Sequence, residues 1–251
     1  MIGLVVAFLL TALLYAAAGF GGGSTYNALL VLGGVDYRAV TVIALVSNIL
    51  VVTVGSLTFA RGGHVHWSRI WPLFAASVPM AWLGGRLEVA EIVFVGVLAV
   101  ALLASGLLML WRPAAGDPVE PRRASWTEAL IGGGLGFVAG VTGIGGGIYL
   151  APVLHLLRWG GAKAIAGTCA VFILANSVAG LAGQFSKSDD FDRADALLAH
   201  WPLFPAVVVG GAFGALLGSR LLPARLVSAL TALLILYVAV RLGLRFVDLQ
   251  G

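Results

Sequence analysis

Gly19-Phe20-Gly21-Gly22-Gly23 and Gly143-Ile144-Gly145-Gly146-Gly147 are the two stretches that decide how this chain is read. Each sits in the middle of a long apolar segment. Consecutive glycines cannot stripe one face of a helix; they break it. Inside a membrane a broken backbone is costly, because N–H and C=O groups without partners are tolerated only where they face protein or a polar cavity. The same break at matching places in two halves of one chain therefore marks a pair of built features.

The surroundings of the two stretches define their solvent. The chain has 251 residues, 60% of them hydrophobic and 10% charged, with a mean hydropathy of +1.03. Several apolar runs approach the ~20 residues that a helix needs to cross a bilayer. The composition is that of an all-α polytopic membrane protein. A net charge of +4 and a pI near 9.6 raise the question of nucleic acid. The basic residues are scattered among short loops and form no stripe, so nucleic acid is excluded as a partner and the lipid bilayer takes its place. Cys169 is the only cysteine, which rules out an intrachain disulfide and a cysteine metal cluster. The apolar N-terminus, Ile2 to Leu14, lacks the basic start of a signal peptide and corresponds to an internal segment further on, so it is read as a retained part of the fold.

Apolar segments fall at about 2–34, 38–60, 69–87, 90–111, 126–158, 163–185, 200–221 and 224–247. A Pro- and Arg-containing stretch divides them, giving a first transmembrane repeat at 1–112, a linker at 113–125 and a second repeat at 126–251. The halves match beyond their glycines. Trp71-Pro72-Leu73-Phe74 recurs as Trp201-Pro202-Leu203-Phe204, Gly85-Arg86-Leu87 as Ser219-Arg220-Leu221, and Arg38 as Lys163. The fold expected is two homologous four-segment repeats forming one transport domain, the first segment of each broken or re-entrant at its glycine cluster.

Segments 2–34 and 126–158 each have 33 residues. A straight helix of that length measures about 50 Å, against a hydrocarbon core of about 30 Å. Each is therefore a broken, tilted span or a re-entrant hairpin with the glycines at its tip. Eight true spans make the repeats parallel; two hairpins make them inverted. Basic residues divide nine against six under either arrangement, and both place the linker on the more basic, cytoplasmic side. A triple glycine at mid-membrane is a natural tip and favours the hairpins. Trp67, Trp71, Trp111, Trp126, Trp159 and Trp201 lie near segment ends, as interfacial anchors do.

Two glycine groups have different roles. Gly132, Gly136 and Gly140, like Gly210, Gly214 and Gly218, recur every fourth residue and bare one helix face for close packing, within the chain or across a homodimer. Gly21, Gly22, Gly23 and Gly145, Gly146, Gly147 instead open short half-helices. A helix N-terminus carries about half a positive charge and exposed N–H groups, so it receives anions. Segment centres lack Lys, Arg, Asp and Glu, while neutral polar residues gather near the breaks. Ser24, Asn27 and Asn48 do so in the first half; Tyr149, Thr168 and Asn176 do so in the second. Ser24 is placed to cap its half-helix. Asn48 and Asn176 stand out because a buried amide must find several partners. His64 and His66 fall in a loop, and His155, near Trp159, is read as interfacial. The acidic run at Asp189, Asp190, Asp192 and Asp195 is read as a solvated face. No His, Asp and Glu have metal-ligand spacing, and no lysine follows the glycines as in a phosphate-binding loop. Metal, cofactor and catalytic residues are not expected, nor is an enzyme.

With these residues in place, the chain resembles the sulfite exporter TauE/SafE family of membrane permeases. The resemblance lies in the paired Gly-x-Gly-Gly-Gly breaks, in Ala166-Gly167-Thr168 after the second, and in Arg61-Gly62-Gly63-His64-Val65-His66-Trp67. It covers essentially the whole chain, although Thr41-Val42-Ile43 stands where the second half has Ala166-Gly167-Thr168. The resemblance implies movement of a small sulfur-containing or organic anion, such as sulfite or a sulfonate, across a bacterial inner membrane. The expected mechanism is secondary transport by alternating access around a midplane site; the alternative is an anion channel with the same glycine lining.

Overall fold

The computed structural model describes residues 1–17, 20–110, 126–157 and 159–220, with parts of 232–247. The linker at 113–125, Trp111 and half of the last apolar segment lie outside the described residues, as do the His155 side chain and the surroundings of Gly218. Ten helices and no strand occur in the described stretches up to residue 220: α1 (Ile2–Ala17), α2 (Gly23–Leu32), α3 (Tyr37–Arg61), α4 (Trp67–Arg86), α5 (Glu91–Leu110), α6 (Trp126–Thr142), α7 (Gly147–Leu156), α8 (Ala162–Phe185), α9 (Arg193–Ala199) and α10 (Leu203–Arg220). Helices α3 and α8 are long and apolar enough to cross a membrane. A third candidate span is Arg193–Ala199 joined to Leu203–Gly214, bent by 67°. Large apolar side chains such as Leu10, Val54, Leu103 and Phe213 point outward. That is the surface a lipid-facing protein presents and a soluble one avoids.

Each apolar segment that carries a glycine cluster is cut in two. The cut separates α1 from α2, and α6 from α7. Asp36 starts α3 by accepting the Arg38 backbone N–H at 2.9 Å, and Gly62 with Gly63 ends it. The polar stretch before Trp201 is more ordered than a solvated loop. Asp192 caps α9 by accepting the N–H groups of Ala194 and Asp195, and Asp189 pairs with the buried Arg193 at 2.6 Å. Asp190, Asp192 and Asp195 are exposed, as a solvated face requires, while the run also shapes a helix start and half-buried Asp189 pairs inward.

The glycine stripes pair helices remote in sequence. A Cβ on Gly132, Gly136 or Gly140 of α6 would run into the carbonyls of Leu73, Ser77 and Ala81 on α4. One on Gly210 or Gly214 of α10 would meet those of Leu9 and Leu13 on α1. Both pairs run side by side in the same direction. Helices α3 and α8 form the centre and run in opposite directions, with Phe59 against Gly167 at one end and Leu45 against Gly180 at the other. Replacing Gly136 by leucine should force α4 and α6 apart and cost about 3 kcal/mol. The thermal midpoint in detergent measures this. Gly134→Ala is the control: nothing lies within 4 Å of its Cβ position, so it should melt at or above the parent.

Trp159 departs from the expected ring of interfacial anchors. It is buried, beneath the Arg69 guanidinium at 4.3 Å, and its carbonyl accepts from Arg69. Trp67, Trp71, Trp126 and Trp201 are exposed, as anchors are. The difference arises because Trp159 precedes α8 and fills the gap under α4, where a cation covers its ring.

Candidate functional site at the glycine breaks

Both breaks converge on one side chain. Asn48, fully buried on α3, donates from Nδ2 to the carbonyls of Gly143 at 3.3 Å and Ile144 at 3.1 Å. Two carbonyl acceptors fix which end of the amide carries hydrogen. Its Oδ1 therefore faces the other break, 2.6 Å from where a Cβ on Gly21 would lie. Asn27 on α2 makes a second tie, donating from Nδ2 to the Thr142 carbonyl at the end of α6. So Gly21–Gly23 and Gly143–Gly147, distant in sequence, share one small volume bounded by α3 and α8.

The backbone there depends on glycine. Gly22 precedes α2 with φ 87°, and Gly146 precedes α7 with φ 83°. Side chains other than glycine rarely adopt such values. Gly22 occupies the cap position of α2, with no side-chain cap. Ser24 lies inside the helix, its hydroxyl 3.0 Å from that of Tyr15, which also meets Thr25 at 2.8 Å. Its expected capping role is thus corrected: it helps hold α2 to α1.

Contacts within each broken segment show the chain turning back. Phe8 on α1 and Tyr26 on α2 stack with ring centroids 4.6 Å apart. In an unbroken helix these positions would lie about 27 Å apart. Likewise, Leu135 and Val138 of α6 line the same cavity as Tyr149 and Val153 of α7. The Tyr149 hydroxyl turns toward Thr142 on the far side of the break.

Polar atoms without partners cluster on the helices that border the breaks. Among the described residues, Asn48 Oδ1, Asn27 Oδ1, Ser47 Oγ, Thr168 Oγ1, Ser177 Oγ and both ends of the Asn176 amide are buried with no hydrogen-bond partner. Ser177 Oγ lies 2.8 Å from a Cβ built on Gly145, and Ile173 packs on Gly145 and Gly147. Thr168 and Asn176 fall on the same helical line as Phe172, which packs against Gly146. A buried polar group lacking a partner costs about 1–3 kcal/mol, so a concentration of them points to a polar ligand. Sequence reading missed Tyr15, a hydroxyl in an otherwise ordinary apolar helix with nothing to distinguish it. Ser177, next to Asn176, was missed as a site residue as well, and its hydroxyl lies against the glycine backbone.

Two cavities adjoin the breaks. The larger, about 750 Å³, is lined by apolar side chains of α5, α6 and α7 and gives an anion almost nothing to bind. A polar one of about 140 Å³ opens where α3 begins and α8 ends. It reaches Thr41, whose methyl lies 2.9 Å from a Cβ built on Gly143. Lys187 lines its mouth. Burial, and then the Arg193 charge, lower the pKa of that ammonium, while Asp189 and Glu88 raise it. Arg38 at the same mouth is paired with Asp36 at 3.2 Å.

A helical membrane protein that gathers its polar atoms around broken backbone, and not around charged side chains, has the build of a membrane transporter. The chain belongs to the sulfite exporter TauE/SafE family, whose description "Sulfite exporter TauE/SafE" matches residues 4–242. It is 36% identical over 245 residues to the "Probable membrane transporter protein y4hK" of Sinorhizobium fredii (strain NBRC 101917 / NGR234), an alignment covering 96% of this chain and 97% of that relative. No solved structure matches it.

Proposed function

We propose that this chain is a multi-pass inner-membrane secondary transporter that exports a small sulfur-containing or organic anion, such as sulfite or a sulfonate, by alternating access. The observation that carries the reading is the meeting of both glycine breaks at Asn48, amid buried polar atoms that lack partners. The N-termini of α2 and α7 supply N–H groups and positive dipole ends in place of the anion's water. Ser24, Asn27, Asn48, Tyr149, Thr168, Asn176 and Ser177 are the side chains that would hold the anion.

The helix directions support inverted repeats. Between α3 and α8 the chain passes α4, α5 and the α6–α7 pair. If that pair crossed the membrane once, α3 and α8 would run the same way. They run oppositely, as they must if α6 and α7 enter and leave by one face. The contacts repeat as well: Gly21 faces Asn48 and Val52, and Gly145, 124 residues after Gly21, faces Ile173 and Ser177, each 125 residues after its counterpart. Rocking of one repeat against the other would open the shared site to each side in turn.

Purified protein should be stabilised by sulfite in a thermal-shift series against sulfate, thiosulfate, sulfoacetate and acetate. A ligand at a hundred times its Kd adds about 2.7 kcal/mol, a readily measured shift. In vesicles, sulfite flux should saturate and show counterflow. Flux without counterflow would mean a pore instead of a carrier, and no shift with any anion would refute the anion site.

A further inference from the structure

The charge inventory of the site says more than that an anion binds. Two half-helices point their N-termini at Asn48, and each is ten residues long. Each end is worth about half an elementary charge, so the pair balances about one negative charge. Nothing else there adds to that sum. Among the described residues the buried charged side chains are Glu128 and Arg193, which lie in the first turns of α6 and α9, away from the breaks. The polar atoms aimed at the glycines are neutral: Asn48 Oδ1 and Ser177 Oγ, both fully buried and without partners. A single negative charge is thus matched, whereas a second would be left buried and uncompensated.

We infer that the glycine-break site selects by valence: it accepts monoanions and rejects dianions of the same shape. This rests on the anion-transport reading and sharpens it. Sulfite would travel as hydrogensulfite, and an organosulfonate as it is. Sulfate and the sulfite dianion would be left behind. The substrate's own proton then sets how much of it is carried, with no intramembrane carboxylate required.

Methanesulfonate and sulfate test this cleanly, since both are compact tetrahedral oxyanions that differ in charge. Their dissociation constants for the purified full-length protein are compared by calorimetry, with sulfite titrated one pH unit below and one above the hydrogensulfite pKa. Sulfate is expected to bind on the order of a hundredfold more weakly than methanesulfonate. Methanesulfonate affinity should not change with pH, while sulfite affinity falls about tenfold for each pH unit above that pKa. Sulfate binding as tightly as methanesulfonate, or sulfite binding that strengthens as pH rises, would overturn valence selection and leave the anion site standing. Failure of all three to bind would remove both.

Discussion

Gly146→Val is expected to abolish anion flux in a protein that still inserts into the membrane. Gly146 has φ 83°, a conformation that for a β-branched residue costs at least about 1–2 kcal/mol. Its Cβ would lie 2.8 Å from the Phe172 ring and 3.1 Å from the Ala139 methyl, with the valine methyls still to be placed. Relief requires α7 to rotate or withdraw, and either motion moves its N-terminus off Asn48. The apolar surfaces that drive insertion are untouched, so protein yield in the membrane should match the parent. The measurement is sulfite flux per inserted protein. Parental flux in Gly146→Val would show that the second break is a hinge of no chemical importance.

The second large effect should come from Asn48→Leu, a change that nearly preserves side-chain shape. Leucine donates no hydrogen bond, so the carbonyls of Gly143 and Ile144 lose their donor. At about 1–3 kcal/mol for each buried group left unpaired, the loss amounts to several kcal/mol. It also removes one of the two ties between the breaks, leaving only that of Asn27 to the Thr142 carbonyl. Binding and flux should both disappear, and the thermal midpoint should fall further than in Gly146→Val. Asn48→Asp makes a telling companion. It keeps the oxygen facing Gly21 and places a negative charge where the anion belongs, so it should abolish binding even if the protein folds. Anion binding retained in Asn48→Asp would place the site elsewhere.

Parts of this architecture are plain in the sequence because glycine has so few reasons to be repeated. Triple glycines announce the breaks, and Gly132, Gly136 and Gly140 announce a packed face. Asn48 and Asn176 stand out because an amide in an apolar run must be paired or must bind something. Partnership between helices is less visible: nothing in the stripe on α6 says that α4, and not α5, lies against it. Tyr15 was hidden because its ring is as apolar as its neighbours, and only its position shows that the hydroxyl reaches Ser24. Trp159 follows the pattern of an interfacial anchor, and only the placement of Arg69 reveals it as buried. The acidic stretch near Arg193 reads as solvated and is largely so, but the cap at Asp192 was hidden because a capping aspartate and a surface aspartate are the same letter.

The pairing of α1 with α10 has a consequence for how the protein is made. Helix α1 leaves the ribosome before the other helices described, and its partner starts about 200 residues later, at Leu203. At synthesis rates of about 5–20 residues per second, α1 spends on the order of 10–40 s without that partner. For that interval lipid or an insertion chaperone must cover the face that α10 will take. The nascent chain is thus most vulnerable to quality control before its second half arrives, and truncations that remove α10 should be degraded even though α1 to α5 are intact.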